Sequence, residues 1–343
     1  MRQNRQPDKR TVSNKRNRGE GPASERCFAT TEDRQKMDKW ISLYTEQGIS
    51  EKLLREIIAF RGRCGVDAAV AERVQEPQIP FYGKDVFEMA ATALLQGENI
   101  LLTGTKATGK NVLAENLAWM FGRPLYNISF HVNTDSSALI GTDTFRNNEV
   151  VLRTGPVYDS ALYGGFAVLD EVNMAKNDAV SVLHAALDFR RIVDVPGYAR
   201  VPMHDAARFI GTMNYGYAGT KELNEALVSR FLVIDMPDAD EETLSKVLDH
   251  EFPDMTARGR EQIIGVFLDL QTKAKNHEIS TKPLDVRGMI GALKTVRGGL
   301  SPRLALRMGL TNKSFDIFER EMVEDIVMTR IPSDWTSREL FED

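Results

Sequence analysis

The chain has 343 residues, 42% hydrophobic and 27% charged, with a net charge of −5. That composition excludes a fibrous or wholly disordered protein and supplies core material for about two domains. The negative balance argues against general attraction for nucleic acid, and no run of about 18 or more apolar residues is present to cross a membrane.

Residues 1–30 begin with seven basic side chains (Arg2, Arg5, Lys9, Arg10, Lys15, Arg16, Arg18), against Asp8 and Glu20. With almost no apolar residues to offset ordering entropy, this segment reads as a disordered basic tail; a nucleic-acid-binding arm is the alternative. It is too polar for a signal peptide, so the cytoplasm is the default compartment. Cys27 and Cys64 fit no metal-ligand spacing and are too few for a disulfide framework. Residues 31–78 place apolar positions at helix spacing around a Gly-Ile-Ser break, which predicts a helical pair.

From residue 79 to 238 the pattern alternates. "KDVFEMAATALLQG", "KNVLAENLAWMFG" and "AKNDAVSVLHAALDF" read as helices, whereas "NILLTG", "PLYNISF", "FAVLDE", "ARFIGTMN" and "FLVIDMP" read as short buried strands. Strands of this kind alternating with helices predict a parallel sheet sandwiched by helices. Residues 239–343 contain only helical periodicity, in "EETLSKVLDHEF", "REQIIGVFLDLQTKAKNH", "DVRGMIGALKTV" and "DIFEREMVEDIV". The expected fold is α/β followed by a smaller α-helical domain.

Three strand ends and one helix end carry chemistry. "GTKATGKN" follows a strand and opens a helix, the setting of a phosphate-binding loop. Gly104 and Gly109 would let the backbone of Thr105, Lys106, Ala107 and Thr108 wrap phosphates, with Lys110 adding a charge and the helix its dipole. The plainer alternative is a Gly-rich turn with an incidental Lys. "FAVLDE" ends in Asp170, suited to hold Mg²⁺, and Glu171, suited to polarise an attacking water. "FIGTMN" ends in Asn214, which could orient that water or simply form a turn. "NEALVSRFLVIDM" puts Arg230 at a helix end, where it could reach a neighbouring subunit's γ-phosphate or merely be solvated.

Together with "SALIGTDTF", "TGPVYDSALYGGFAVLDEVNMAKNDAVSVLHAALDFR", "FIGTMN" and "NEALVSRF", these features make residues 79–300 resemble AAA+ ATPases. The likeness is to the MoxR family, above all its CbbQ/NorQ branch within the dynein-related subfamily. It implies a P-loop NTPase core with a C-terminal helical lid, and ATP and Mg²⁺ as cofactors. Gly104 to Lys110 would be Walker A, Asp170 and Glu171 Walker B, Asn214 sensor 1 and Arg230 an arginine finger. Arg287, in "DVRGMIGALK", would be the sensor 2 contact, and Asn127 the polar residue that restrains Glu171. Hairpins are implied at "TFRNNEVVLRTG" and "RIVDVPGYARVP".

The sequence departs from the family at Asn111, where Ser or Thr is usual. The Asn carbonyl oxygen can still ligate Mg²⁺, so a working but retuned site is expected. The resemblance further implies a ring, expected to be hexameric, acting as a chaperone with a von Willebrand factor A (VWA) domain partner on a target enzyme. A nucleic-acid motor and a nucleotide-gated assembly protein with little turnover are the competing readings. The hairpin tips "RNNE" and "PGYAR" are not strongly basic, which counts against the first.

Overall fold

The computed structural model describes residues 31–342, except 147, 176, 196, 199 and 215–222. The expected basic tail and Cys27 lie outside the described residues, as do parts of both hairpin tips.

Helices α1 (Thr31–Glu46) and α2 (Glu51–Arg63) come first, followed by α3 (Lys84–Leu95), β1 (Ile100–Gly104), α4 (Lys110–Phe121) and β2 (Leu125–Ser129). Next are α5 (Ser136–Ile140), the hairpin β3 (Gly141–Arg146) and β4 (Glu149–Thr154), α6 (Pro156–Tyr163) and β5 (Phe166–Asp170). Short helices α7 (Asn177–Ser181) and α8 (His184–Leu187) precede a second hairpin, β6 (Ile192–Val193) with β7 (Val201–Pro202). Then come β8 (Arg208–Asn214), α9 (Glu225–Val228) and β9 (Leu232–Asp235). Helices α10 (Glu241–Glu251), α11 (Ala257–Lys275), α12 (Val286–Arg297), α13 (Pro302–Gly309), α14 (Ile317–Arg330) and α15 (Ser337–Leu340) complete the described chain.

Five strands form one parallel sheet in the order β2-β5-β8-β1-β9. The three central strands are apolar on both faces because helices cover both. Ile100, Leu102, Phe166, Val168 and Ile210 join one core with α1 to α4. Their neighbours Leu101, Ala167, Leu169 and Phe209 face the opposite way, into a second core with α5, α6 and α8. This alternation is the period-2 geometry of a strand. The first two helices share the core of the sheet: Tyr44, Ile57 and Phe60 pack with Phe87, Leu113 and Phe121.

The helical C-terminal region has a core of its own, built on Leu244, Leu248, Phe267, Leu293, Leu306 and Val323. Capping side chains start its helices: Asp240 accepts from Thr243 N, Thr256 from Gly259 N and Asp316 from Glu319 N. α12 and α13 cross where Gly288 meets Gly309. A Cβ on either would come within 2.4 Å of the other's carbonyl oxygen.

Two local expectations change. "AKNDAVSVLHAALDF" forms two short helices rather than one, because Leu183 N and Ala186 N bond three residues back, to Val180 and Leu183, tightening the chain. "SPRLALRMG", not among the helical segments expected, forms α13, with Pro302, Ala305, Leu306 and Gly309 buried at helix spacing.

Candidate functional site: a cleft between sheet and helical region

The loop after β1 turns sharply. Gly104 has φ 148°, and a Cβ there would stand 2.9 Å from the Met236 carbonyl oxygen, so only glycine fits. Ala107 and Gly109 also adopt positive φ, 63° and 85°, which curls the loop before α4 begins at Lys110. The Lys110 ammonium donates to Thr105 O at 2.6 Å, Gly104 O at 3.1 Å and Thr108 Oγ1 at 3.1 Å. It is 7% exposed, and no carboxylate among the described residues pairs with it within 4.0 Å. Burial lowers its pKa to about 8, against the opposing pull of Asp170, Asp235, Asp238 and Glu171. The ammonium's direct bonds are all to neutral oxygens, and a phosphate group would give it a negative one.

Strand order brings the other polar groups to this loop. β8 lies between β1 and β5, with Asn214 in register beside Gly104 and Gly211 beside Leu169. Thr212 Oγ1 donates to Asp170 Oδ1 at 2.6 Å and accepts from the Glu171 backbone N–H at 3.2 Å. Asn214 Nδ2 donates to Glu171 Oε1 at 3.1 Å. Glu171 itself has φ 53°, a left-handed conformation uncommon for a non-glycine residue. Strain of this kind persists only where the surroundings enforce it, and it clusters at functional sites.

These groups line a cleft of about 580 Å³ whose opposite wall is the helical region. Lys106 to Asn111, Asp170, Glu171 and Asn214 supply its polar lining. Ile79, Phe81, Tyr82, Leu244, Val247 and Ile290 supply apolar lining. Arg287 enters from the second position of α12, with Lys282 and Lys313 nearby on the same wall. Thr105 Oγ1 donates to Asp238 Oδ1 at 2.7 Å, and Lys275 on α11 lies 3.5 Å from the same carboxylate, tying loop to helical region.

Of the residues singled out beforehand, the structure gathers Gly104 to Asn111, Asp170, Glu171, Asn214 and Arg287 around this cleft and loop. It does not bring Arg230 there. Arg230 follows α9, bonds the Ala226 carbonyl and lies 3.9 Å from Asp188. Asn127 is exposed on edge strand β2, paired with Val168, and Glu171 is restrained by Asn214 instead. Thr212 carries no motif of its own in the sequence, although its place two residues before Asn214 puts both on one strand face. Nothing local marks Asp238 or the apolar wall. Among the described residues no three His, Cys, Asp or Glu side chains form a metal cluster. A Mg²⁺ held by one carboxylate and substrate phosphates would require none. No helix among them is long and apolar enough to cross a membrane.

Residues 99–231 match the AAA domain family, dynein-related subfamily. An uncharacterised protein of Bacillus subtilis strain 168, YojN, is 32% identical over 245 residues, covering 70% of this chain and 80% of YojN. An uncharacterised Staphylococcus saprophyticus protein is 34% identical over 212 residues, 60% of this chain and 80% of the relative. A solved structure from Cytophaga hutchinsonii covers 86% of this chain and 97% of its own, at 16% identity and a TM-score of 0.39. The matched span runs from just before β1 to just after Arg230, taking in every strand end that faces the cleft. The fold is an AAA+ P-loop core with a helical lid, and the chain belongs to the dynein-related subfamily of AAA domains.

Proposed function

We propose that this protein hydrolyses ATP with Mg²⁺ and works as a ring, in the manner of the MoxR-type chaperones its motifs resemble. The observation that carries the reading is the bonded set Asp170–Thr212 and Glu171–Asn214 beside a buried Lys110 bonded directly to neutral oxygens. In this reading residues 79–238 are the nucleotide-binding domain, 239–343 the lid, and 31–78 an added helical segment.

The roles follow from the groups present. Lys110 holds the β- and γ-phosphates, helped by backbone N–H groups of the curled loop and the N-terminus of α4. Asp170 and the carbonyl oxygen of Asn111 would hold Mg²⁺, which neutralises charge on the phosphates. Glu171 Oε accepts a proton from water, and Asn214 fixes the carboxylate so that one oxygen keeps its direction. Arg287 closes the lid over the phosphates. Arg230 lies outside its own cleft, so it acts in trans on the neighbouring subunit's nucleotide, which makes a ring, expected to be hexameric, the working form. A VWA-domain partner and a target enzyme are the protein ligands that the MoxR resemblance supports.

The test is ATP turnover by mixed assemblies. Glu171→Gln and Arg230→Ala should each lose about 10²- to 10⁵-fold in rate. Mixing the two should restore activity at interfaces where an intact Glu171 meets an intact Arg230. Wild-type rates in either variant would remove that residue's role. Absence of complementation in verified mixed rings would remove the shared site.

A further inference from the structure

Part of the cleft's apolar lining comes from residues 79–82, within a strap, residues 78–82, that follows the first two helices in the chain. Its backbone is held from three directions. Gln78 O lies 3.1 Å from Nε2 of His250, on lid helix α10. Phe81 O accepts from Gln47 Nε2 at 3.3 Å, just beyond the end of α1. Between these, Ile79 O and Phe81 N both bond one side chain, Asn116 of α4.

Asn116 is fully buried and uses its whole hydrogen-bonding capacity. Its Nδ2 donates to Ile79 O at 3.0 Å and Val112 O at 2.7 Å. Its Oδ1 accepts from Phe81 N at 3.0 Å and from the Tyr44 hydroxyl at 2.7 Å. Tyr44 belongs to α1 and is itself fully buried, which pushes its phenol pKa well above the usual value and keeps it a donor. Asn is a poor helix former, and an apolar side chain would fill this interior position without need of partners. What the amide provides is two bonds across the strap that fix its distance from α4, six residues along from Lys110. The Phe81 ring also lies over the loop, 3.5 Å from where a Cβ on Gly109 would stand.

We propose that Asn116, anchored by Tyr44, is a positioning residue for the nucleotide base: it sets the strap against which a flat heteroaromatic ring packs. The inference rests on the nucleotide-site reading above. It couples α1 to the cleft through Tyr44, Asn116 and the strap, so loss of the Tyr44 hydroxyl alters affinity for a nucleoside triphosphate but not for bare phosphate chains.

Binding of ATP and of inorganic tripolyphosphate to the full chain, measured by calorimetry, separates the polar from the apolar lining of the cleft. Asn116→Leu should weaken ATP about tenfold and Tyr44→Phe by several-fold, each leaving tripolyphosphate within about twofold of the parent. Tyr44→Phe removes only a hydroxyl and, with thermal melting as a control, keeps the test valid if Asn116→Leu folds poorly. Equal weakening of both ligands, or unchanged ATP affinity in folded variants, would overturn the inference while leaving the nucleotide site in place. A parent protein that binds neither ligand would overturn both.

Discussion

The two walls of the cleft are held in place by different means. On the sheet side, three adjacent strands deliver Gly104, Asp170, Glu171 and Asn214 to one edge, and side-chain bonds join Asp170 to Thr212 and Glu171 to Asn214. On the lid side, Arg287 is exposed near the start of a helix whose packing belongs to a separate core. Its distance from the phosphate loop therefore depends on where the whole lid sits. Bodies with their own cores and few shared contacts move relative to one another by default. The expectation that follows is a sheet wall pre-organised by its own bonds and a lid wall whose position is set by how the lid sits.

If that contrast is right, Lys110→Ala should have the largest effect on binding, about 10- to 100-fold for ATP and tripolyphosphate alike. Loss of a buried, multiply bonded cation is not made good by lid movement; calorimetry on the two ligands reads it directly. Full ATP affinity in this variant would break the assignment of the loop. Arg287→Ala should cost less, about two- to fivefold in ATP affinity, since an exposed cation is screened by solvent. A loss matching that of Lys110→Ala would mean the lid is as fixed as the sheet.

The smallest effect is expected at Asn111, which in the proposed function would reach Mg²⁺ with a longer side chain than Ser or Thr. Mg²⁺ requires a near-ideal octahedron, so Asn111→Thr should lower the Mg²⁺ needed for half-maximal turnover, and Asn111→Leu raise it, by about twofold each way. Identical titrations for Asn and Leu would show that Asn111 takes no part. Turnover appearing only in the Thr variant would make the natural chain a nucleotide-gated scaffold.

Much of this was legible in one dimension because it is local. The apolar runs ending at Gly104, Asp170 and Asn214 report strands buried on both faces, whereas the run ending at Asp235, expected to be buried too, forms an edge strand with Leu232 and Val233 exposed; "GTKATGK" reports a loop whose curl depends on its own glycines. Short-range sterics and period-2 burial determine such features, so a contiguous stretch contains them whole. Partnerships across the sheet were not legible in that way. Thr212 bonds Asp170 over 42 positions, and Asn116 joins Tyr44 to a strap 35 to 37 residues before it. Asp238 anchors Thr105 from 133 residues away, and the apolar wall is assembled from residues 79–82 and the lid. No local pattern encodes those contacts, because strand order and lid packing choose which distant residues meet. Tertiary structure also put Glu171 in the care of Asn214 rather than Asn127, since β8, not edge strand β2, runs between the two site-bearing strands.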